Sequence, residues 1–215
     1  MKAYKFRTTN NFDNLIDILL NKRLYCADHM DLNDVFEADI RVGKDVGREK
    51  EFMTKMRHFQ ESVKSYRICS LSKTFDNHQL WAYYANGHTG LAIELELSET
   101  DDSIFEIEYS DDLLFFSDII DTYELPKTIC KPLLTKRTTW EYEKEIRVVT
   151  KDKYFDIKHK ITGIIAGTRM NTTTQIALDI LCTRIGVPFY RAIIADWGIY
   201  TVEYQKNYEA FLNDK

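Results

Sequence analysis

The stretch Trp140-Glu141-Tyr142-Glu143-Lys144-Glu145-Ile146-Arg147-Val148-Val149-Thr150 decides how the rest of the chain is read. In an extended strand, Glu143, Glu145 and Arg147 fall on one face, and Lys144, Ile146 and Val148 on the other. Two carboxylates and a guanidinium on one face are costly to bury unless they pair or meet a ligand. The pattern therefore fits an exposed edge strand with solvated charges, a salt-bridge ladder with Lys136 or Arg67, or one wall of a functional pocket. Residues elsewhere in the chain bear on the choice.

At 215 residues, 44% of them hydrophobic, with 13 Tyr and 12 Phe, the chain has enough apolar material for a packed core. The net charge of -5 argues against a surface coated for binding nucleic-acid backbone. That charge is uneven: 12 acidic residues and no Lys or Arg lie between Glu94 and Glu124, whereas 10 basic and 5 acidic residues lie between Lys127 and Lys160. The segments read either as two solvated faces or as a basic rim suited to an anionic ligand. Cys26, Cys69, Cys130 and Cys182 form no close pair, which argues for buried reduced thiols over a zinc site. The opening Met1-Lys2-Ala3-Tyr4-Lys5-Phe6 has no signal-type apolar region, and no run approaches the ~20 apolar residues of a membrane span. A cytoplasmic protein with no membrane partner is expected.

Periodicity outlines the elements. Strands are predicted at 3–7, 23–27, 66–72, 91–97, 104–109, 161–167, 189–195 and 199–204, besides the organising strand. Helices are predicted at about 12–21, where Asn10 and Asn11 supply caps, and at 47–63, 79–85, 111–123 and 128–137. A last helix is expected from Asn171, as its cap, to Ile185, closed by Gly186 and Pro188. Short strands interspersed with helices, without repeats or a Pro/Ser-rich linker, predict one α+β domain spanning residues 1–215, with a mixed, split sheet and flanking helices.

Five stretches in order resemble a bacterial domain of unknown function that is widespread in single-domain proteins. They are Tyr4-Lys5-Phe6-Arg7; Leu32-Asn33-Asp34-Val35-Phe36-Glu37; Cys69-Ser70-Leu71-Ser72; Leu80-Trp81-Ala82-Tyr83-Tyr84 with Gly90; and Lys136 with Trp140-x-Tyr142-Glu143-x-Glu145-x-Arg147. The chain departs from that pattern at Val35, where the family usually has proline, and at Leu71, commonly aromatic there. Neither departure removes a polar group. The family brings no settled activity; the resemblance implies that these polar residues belong together.

The order Arg7, then Ser70-Leu71-Ser72, then Glu143-Lys144-Glu145, each in a predicted strand, is also similar to the Arg-Ser-Glu type of ADP-ribosyltransferase. That resemblance implies an ADP-ribosyltransferase-like fold and NAD as substrate, with an effector role in toxin or phage-defence systems and a protein or nucleic-acid acceptor. Arg7 would grip the pyrophosphate, as a guanidinium fork does. Ser70 and Ser72 would hold the nicotinamide ribose or brace the catalytic glutamate. Glu145 would stabilise the oxocarbenium-like charge as nicotinamide leaves, and Glu143 would orient or deprotonate the acceptor. Trp81 or Tyr83 would stack on a ring of the dinucleotide, and Asp34 would line the pocket. On this reading Arg7, Ser70, Ser72, Glu143 and Glu145 converge on one concave site.

Each of these residues also has a plainer role. Asn33-Asp34 is a natural turn, Trp81, Tyr83 and Tyr84 suit a core, and Gly90 suits a turn. A metal-dependent nuclease built from Asp34, Glu37, Glu143 and Glu145 is one alternative, and a non-catalytic ligand-binding module is another. No metal is expected for the transferase, because the five His residues show no ligand spacing.

Overall fold

The computed structural model describes residues 1–32, 34, 38, 40–43, 50–119, 126–196 and 198–204. In chain order the strands and helices are β1 (Lys2–Arg7), α1 (Phe12–Asn21), β2 (Arg23–Tyr25), β3 (Ala27–Asp28), α2 (Lys50–Lys64), β4 (Arg67–Ser72), α3 (His78–Tyr84) and β5 (Leu91–Glu96). There follow β6 (Ile104–Glu106), β7 (Glu108–Tyr109), α4 (Pro126–Leu134), β8 (Thr135–Lys136), β9 (Glu145–Thr150), β10 (Tyr154–Asp156), β11 (Ile161–Ala166), α5 (Thr172–Ile185), β12 (Phe189–Ala195) and β13 (Gly198–Glu203). The fold is mixed α+β, with parallel and antiparallel strand pairs. These residues gather into two compact units: one of Met1, Lys22–Lys73 and Leu97–Ile157, the other of Lys2–Asn21, Thr74–Glu96 and the chain from Lys158.

In the first unit, β9 lies between β4 and β6, antiparallel to both, and β3 pairs with β4. Flanked on both sides, β9 is buried at five of its six positions, so its charges are not those of a solvated edge. α2 contributes Met56, Phe59 and Val63 to a core shared with Ile68, Phe116, Leu133 and Val149. The fully buried Phe59 and Phe116 meet at 5.3 Å between ring centroids. Burial of each such side chain contributes about 1.5–3 kcal/mol. Two small ladders complete the unit, β2 with β10 and the parallel pair β7 with β8.

In the second unit the strand order is β13-β12-β11-β5-β1. β11 and β12 run parallel, with α5 as the crossover between them, as a parallel pair requires. Asn171 caps α5 by accepting from the Thr174 N–H at 2.7 Å, and Gly186 ends it at φ +71°. Phe6, Leu80, Trp81, Ala92, Ile165, Ala192 and Ile199 form the core on one side of these strands.

Several expected elements differ. The strand expected at 23–27 is interrupted at Cys26, whose N–H donates to the Lys153 carbonyl. The helix expected over 111–123 is limited, among the described residues, to a 3-10 turn at Phe116–Asp118. The helix expected over 128–137 starts earlier, at Pro126, and ends at Leu134. Thr135 and Lys136 instead pair with Glu108 and Tyr109 as strands. Of the Asn33-to-Glu37 run, only Asp34 lies among the described residues.

Candidate functional site

The organising stretch is not one strand. Thr138–Glu143 forms a 3-10 helix, Lys144 takes a left-handed conformation at φ 44°, and β9 begins only at Glu145. Two hydrogen bonds hold this corner against β4. The Ser72 hydroxyl donates to the Glu143 carbonyl at 2.7 Å, and the Lys73 N–H donates to the Lys144 carbonyl at 3.0 Å. Straight strand alternation would also put Glu143 and Glu145 on one face; here the left-handed turn at Lys144, between the 3-10 helix and β9, carries both into the same interior. A non-glycine residue in the left-handed region is strained, so the surrounding bonds must hold it there.

Four charges meet inside the first unit. Lys136 donates to Glu143 Oε2 at 2.7 Å and to Glu145 Oε2 at 3.0 Å. Arg147 grips Glu145 with two bonds, Nε to Oε1 at 2.7 Å and a terminal guanidinium nitrogen to Oε2 at 3.2 Å. Its other terminal nitrogen donates to the Leu133 carbonyl at 2.5 Å. The side chains are 6% (Lys136), 5% (Glu143), 3% (Glu145) and 1% (Arg147) exposed, so the cluster is dry and carries no formal net charge. Arg67, the other cation considered for these carboxylates, pairs instead with Asp28 at 3.3 Å.

The register places Ser72 opposite Glu145 and Ser70 opposite Arg147. The Ser70 hydroxyl hydrogen-bonds the Glu145 carboxylate. Burial by itself would raise the Glu145 pKa. The Arg147 guanidinium and its hydrogen bond, then Lys136 and Ser70, outweigh burial and hold the carboxyl at about 2. For Lys136, burial opposes the charge, but Glu145 and Glu143 overcome it and push the pKa up. The Tyr109 hydroxyl accepts from the Glu145 N–H at 2.8 Å and so fixes where β9 starts. The Lys136 ammonium also lies 4.7 Å from the centre of the Trp140 ring. Lys136 and Tyr109, paired across β7 and β8, are thus part of the site's frame. Lys136 was legible as a candidate partner; nothing in the sequence singled out Tyr109.

At neutral pH Glu145 is an anion whose two oxygens are held by cations and a hydroxyl. It suits electrostatic stabilisation of a nearby positive charge and does not suit donation of a proton. A shallow cleft of about 410 Å³, solvent at its mouth included, is bordered by Lys136 together with Ser110, Leu114, Pro132, Thr135 and Arg137. Asp34, also in the first unit, is buried.

The remaining candidates belong to the second unit. Arg7 ends β1, opposite Leu91, and is half-buried. Trp81 is fully buried: its indole N–H donates to the Phe75 carbonyl at 2.6 Å, Phe6 meets its ring near-perpendicularly, and the His88 ring stacks on it. Tyr83 is 67% exposed. Among the described residues no group of three or more His, Cys, Asp or Glu side chains is placed to hold a metal ion. No described helix is long and apolar enough to cross a membrane. No family model, curated protein or solved structure matches the chain.

Proposed function

We propose that this chain is an NAD-dependent ADP-ribosyltransferase-like enzyme with Glu145 as its central carboxylate. The observation that carries the reading is the pairing of the Ser-x-Ser strand with the Glu-x-Glu turn: Ser72 faces Glu145 across the ladder, and the Ser70 hydroxyl reaches the Glu145 carboxylate. Glu145 would stabilise the positive charge that develops on the ribose as nicotinamide departs. Glu143, one left-handed residue away, would orient the acceptor, a protein or a nucleic acid. Lys136 and Arg147 would then keep Glu145 ionised and fixed in direction. Arg7 takes its pyrophosphate role from motif order alone. The toxin or phage-defence setting belongs to the same reading and rests on resemblance.

A specific observation favours a second reading. The four charges satisfy one another and leave the carboxylates 3–5% exposed, as a purely structural ionic core would. Under that reading the chain is a non-catalytic ligand-binding module.

Calorimetric titration of NAD, with chromatographic detection of released nicotinamide, separates the two. Glu145→Gln keeps the shape and removes the charge, so the enzyme reading expects turnover to fall about 100-fold or more. NAD affinity should change little, because the cation is absent from the ground state. A folded wild type that binds no NAD up to about 1 mM, the top of the usual substrate range, overturns the enzyme reading.

A further inference from the structure

We propose that His78, His88 and Arg169 form a binding site for a phosphate-bearing ligand. The backbone brings them together within the second unit. After α3, Asn86, Gly87 and His88 all take positive φ, at 48°, 63° and 71°. This turn folds the loop back, and the His88 N–H donates to the Trp81 carbonyl at 3.2 Å. The His88 ring then stacks on Trp81 at 5.9 Å and 13°, and the His78 ring lies 5.7 Å from it. The loop after β11 docks on the same turn. Arg169 N–H donates to the His88 carbonyl at 3.0 Å, and Gly167 N–H donates to the Gly90 carbonyl at 2.8 Å. Gly167 permits this approach because a Cβ there would overlap the His88 carbonyl oxygen.

The result is a cluster of basic side chains, one guanidinium and two imidazoles. Among the described residues, neither Arg169 nor His78 makes an ion pair or a side-chain hydrogen bond. Burial first, then the neighbouring His78 and Arg169, hold the His88 pKa below the ordinary value. His88 Nδ1 is buried and has no hydrogen-bond partner among the described residues. A buried polar atom left unpaired is costly, and such an atom beside an unpaired guanidinium and a second imidazole points to a missing polar partner. A phosphate supplies several anionic oxygens at once. Arg169 can grip two of them with its fork, and His88, once protonated, can donate to a third. Because burial and its basic neighbours hold the His88 pKa down in the free protein, a bound anion should raise it and draw a proton from the buffer.

This inference stands apart from the transferase reading. A protein that binds pyrophosphate yet releases no nicotinamide keeps the one and loses the other. The test is calorimetric titration of the full chain at pH 7 with inorganic phosphate, pyrophosphate and ADP, each in two buffers of different ionisation enthalpy. Pyrophosphate should bind with submillimolar Kd and with proton uptake. Arg169→Ala, at an exposed side chain, should weaken it about tenfold or more. His88→Gln should abolish the proton uptake, and Arg184→Ala, on the exposed side of α5, should change nothing. ADP binding more tightly than pyrophosphate marks a nucleotide as the source of the phosphate. Equal affinities mark the phosphoryl groups alone. No binding of any probe to the folded wild type, or wild-type affinity in Arg169→Ala, overturns the proposal.

Discussion

Replacing Lys136 by Met removes one of two cations from a dry, formally neutral cluster while keeping most of the side chain's length. The lost contacts are the bonds to Glu143 at 2.7 Å and to Glu145 at 3.0 Å. Glu145 retains Arg147, but Glu143 loses a buried charged partner. Breaking a buried ion pair from one side costs about 3–5 kcal/mol, chiefly because the remaining charge is stranded. With two carboxylates sharing the loss, about 4–5 kcal/mol is expected. Each kcal/mol shifts the melting midpoint of a chain this size by about 2–4 °C, so a fall of roughly 8–20 °C follows. The double variant Lys136→Met/Glu143→Gln removes one charge of each sign and should regain at least about 2 kcal/mol of the single variant's loss. Urea unfolding followed by circular dichroism measures both. A loss under about 1 kcal/mol, or no recovery in the double variant, would refute the view that charge balance in a dry interior holds this unit together.

The acid side of the stability profile should carry the signature of Glu145. Its folded pKa of about 2 lies below the ordinary 4.5, so its contribution is complete above about pH 4.5 and fades as pH falls toward 2. That difference corresponds to about 3 kcal/mol, to be read from urea midpoints between pH 6 and 2; the decline should be much reduced in Glu145→Gln. Gly167→Ala should destabilise the second unit by about 1–3 kcal/mol, because the added carbon meets backbone that cannot swing aside. A thermal melt within 2 °C of wild type would count against that close approach.

Much of the fold was legible where one signal dominated. α1 and α5 begin and end as their caps and apolar spacing require, and Asn171 and Gly186 mark α5 to the residue. The apolar strands β11 and β12 were equally plain. The short ladders were not, because two residues carry no period: Thr135-Lys136 continues the helical pattern of α4 and becomes a strand only because Tyr109 lies beside it. The candidate site was half legible. The alternation of Glu143, Glu145 and Arg147 correctly joins Glu145 to Arg147, two apart on one face of β9. Glu143 reaches the cluster by another route, the left-handed turn at Lys144, which no residue preference announces at a lysine. The closeness of His78 and His88 was hidden for a similar reason: ten positions separate them, and three successive positive-φ residues close the distance.

The four cysteines add a consequence of their own. All four are buried and outside any disulfide, and burial pushes Cys130 up to about 11 and Cys182 up to about 12. Since the thiolate is the reactive form, a thiol reagent at neutral pH should find the native protein almost inert. Labelling therefore times opening. Cys26, Cys69 and Cys130 belong to one compact unit and Cys182 to the other. Mass spectrometry after a brief exposure would thus count how many labels each molecule took up and show which unit opened first: three additions from one unit, one from the other.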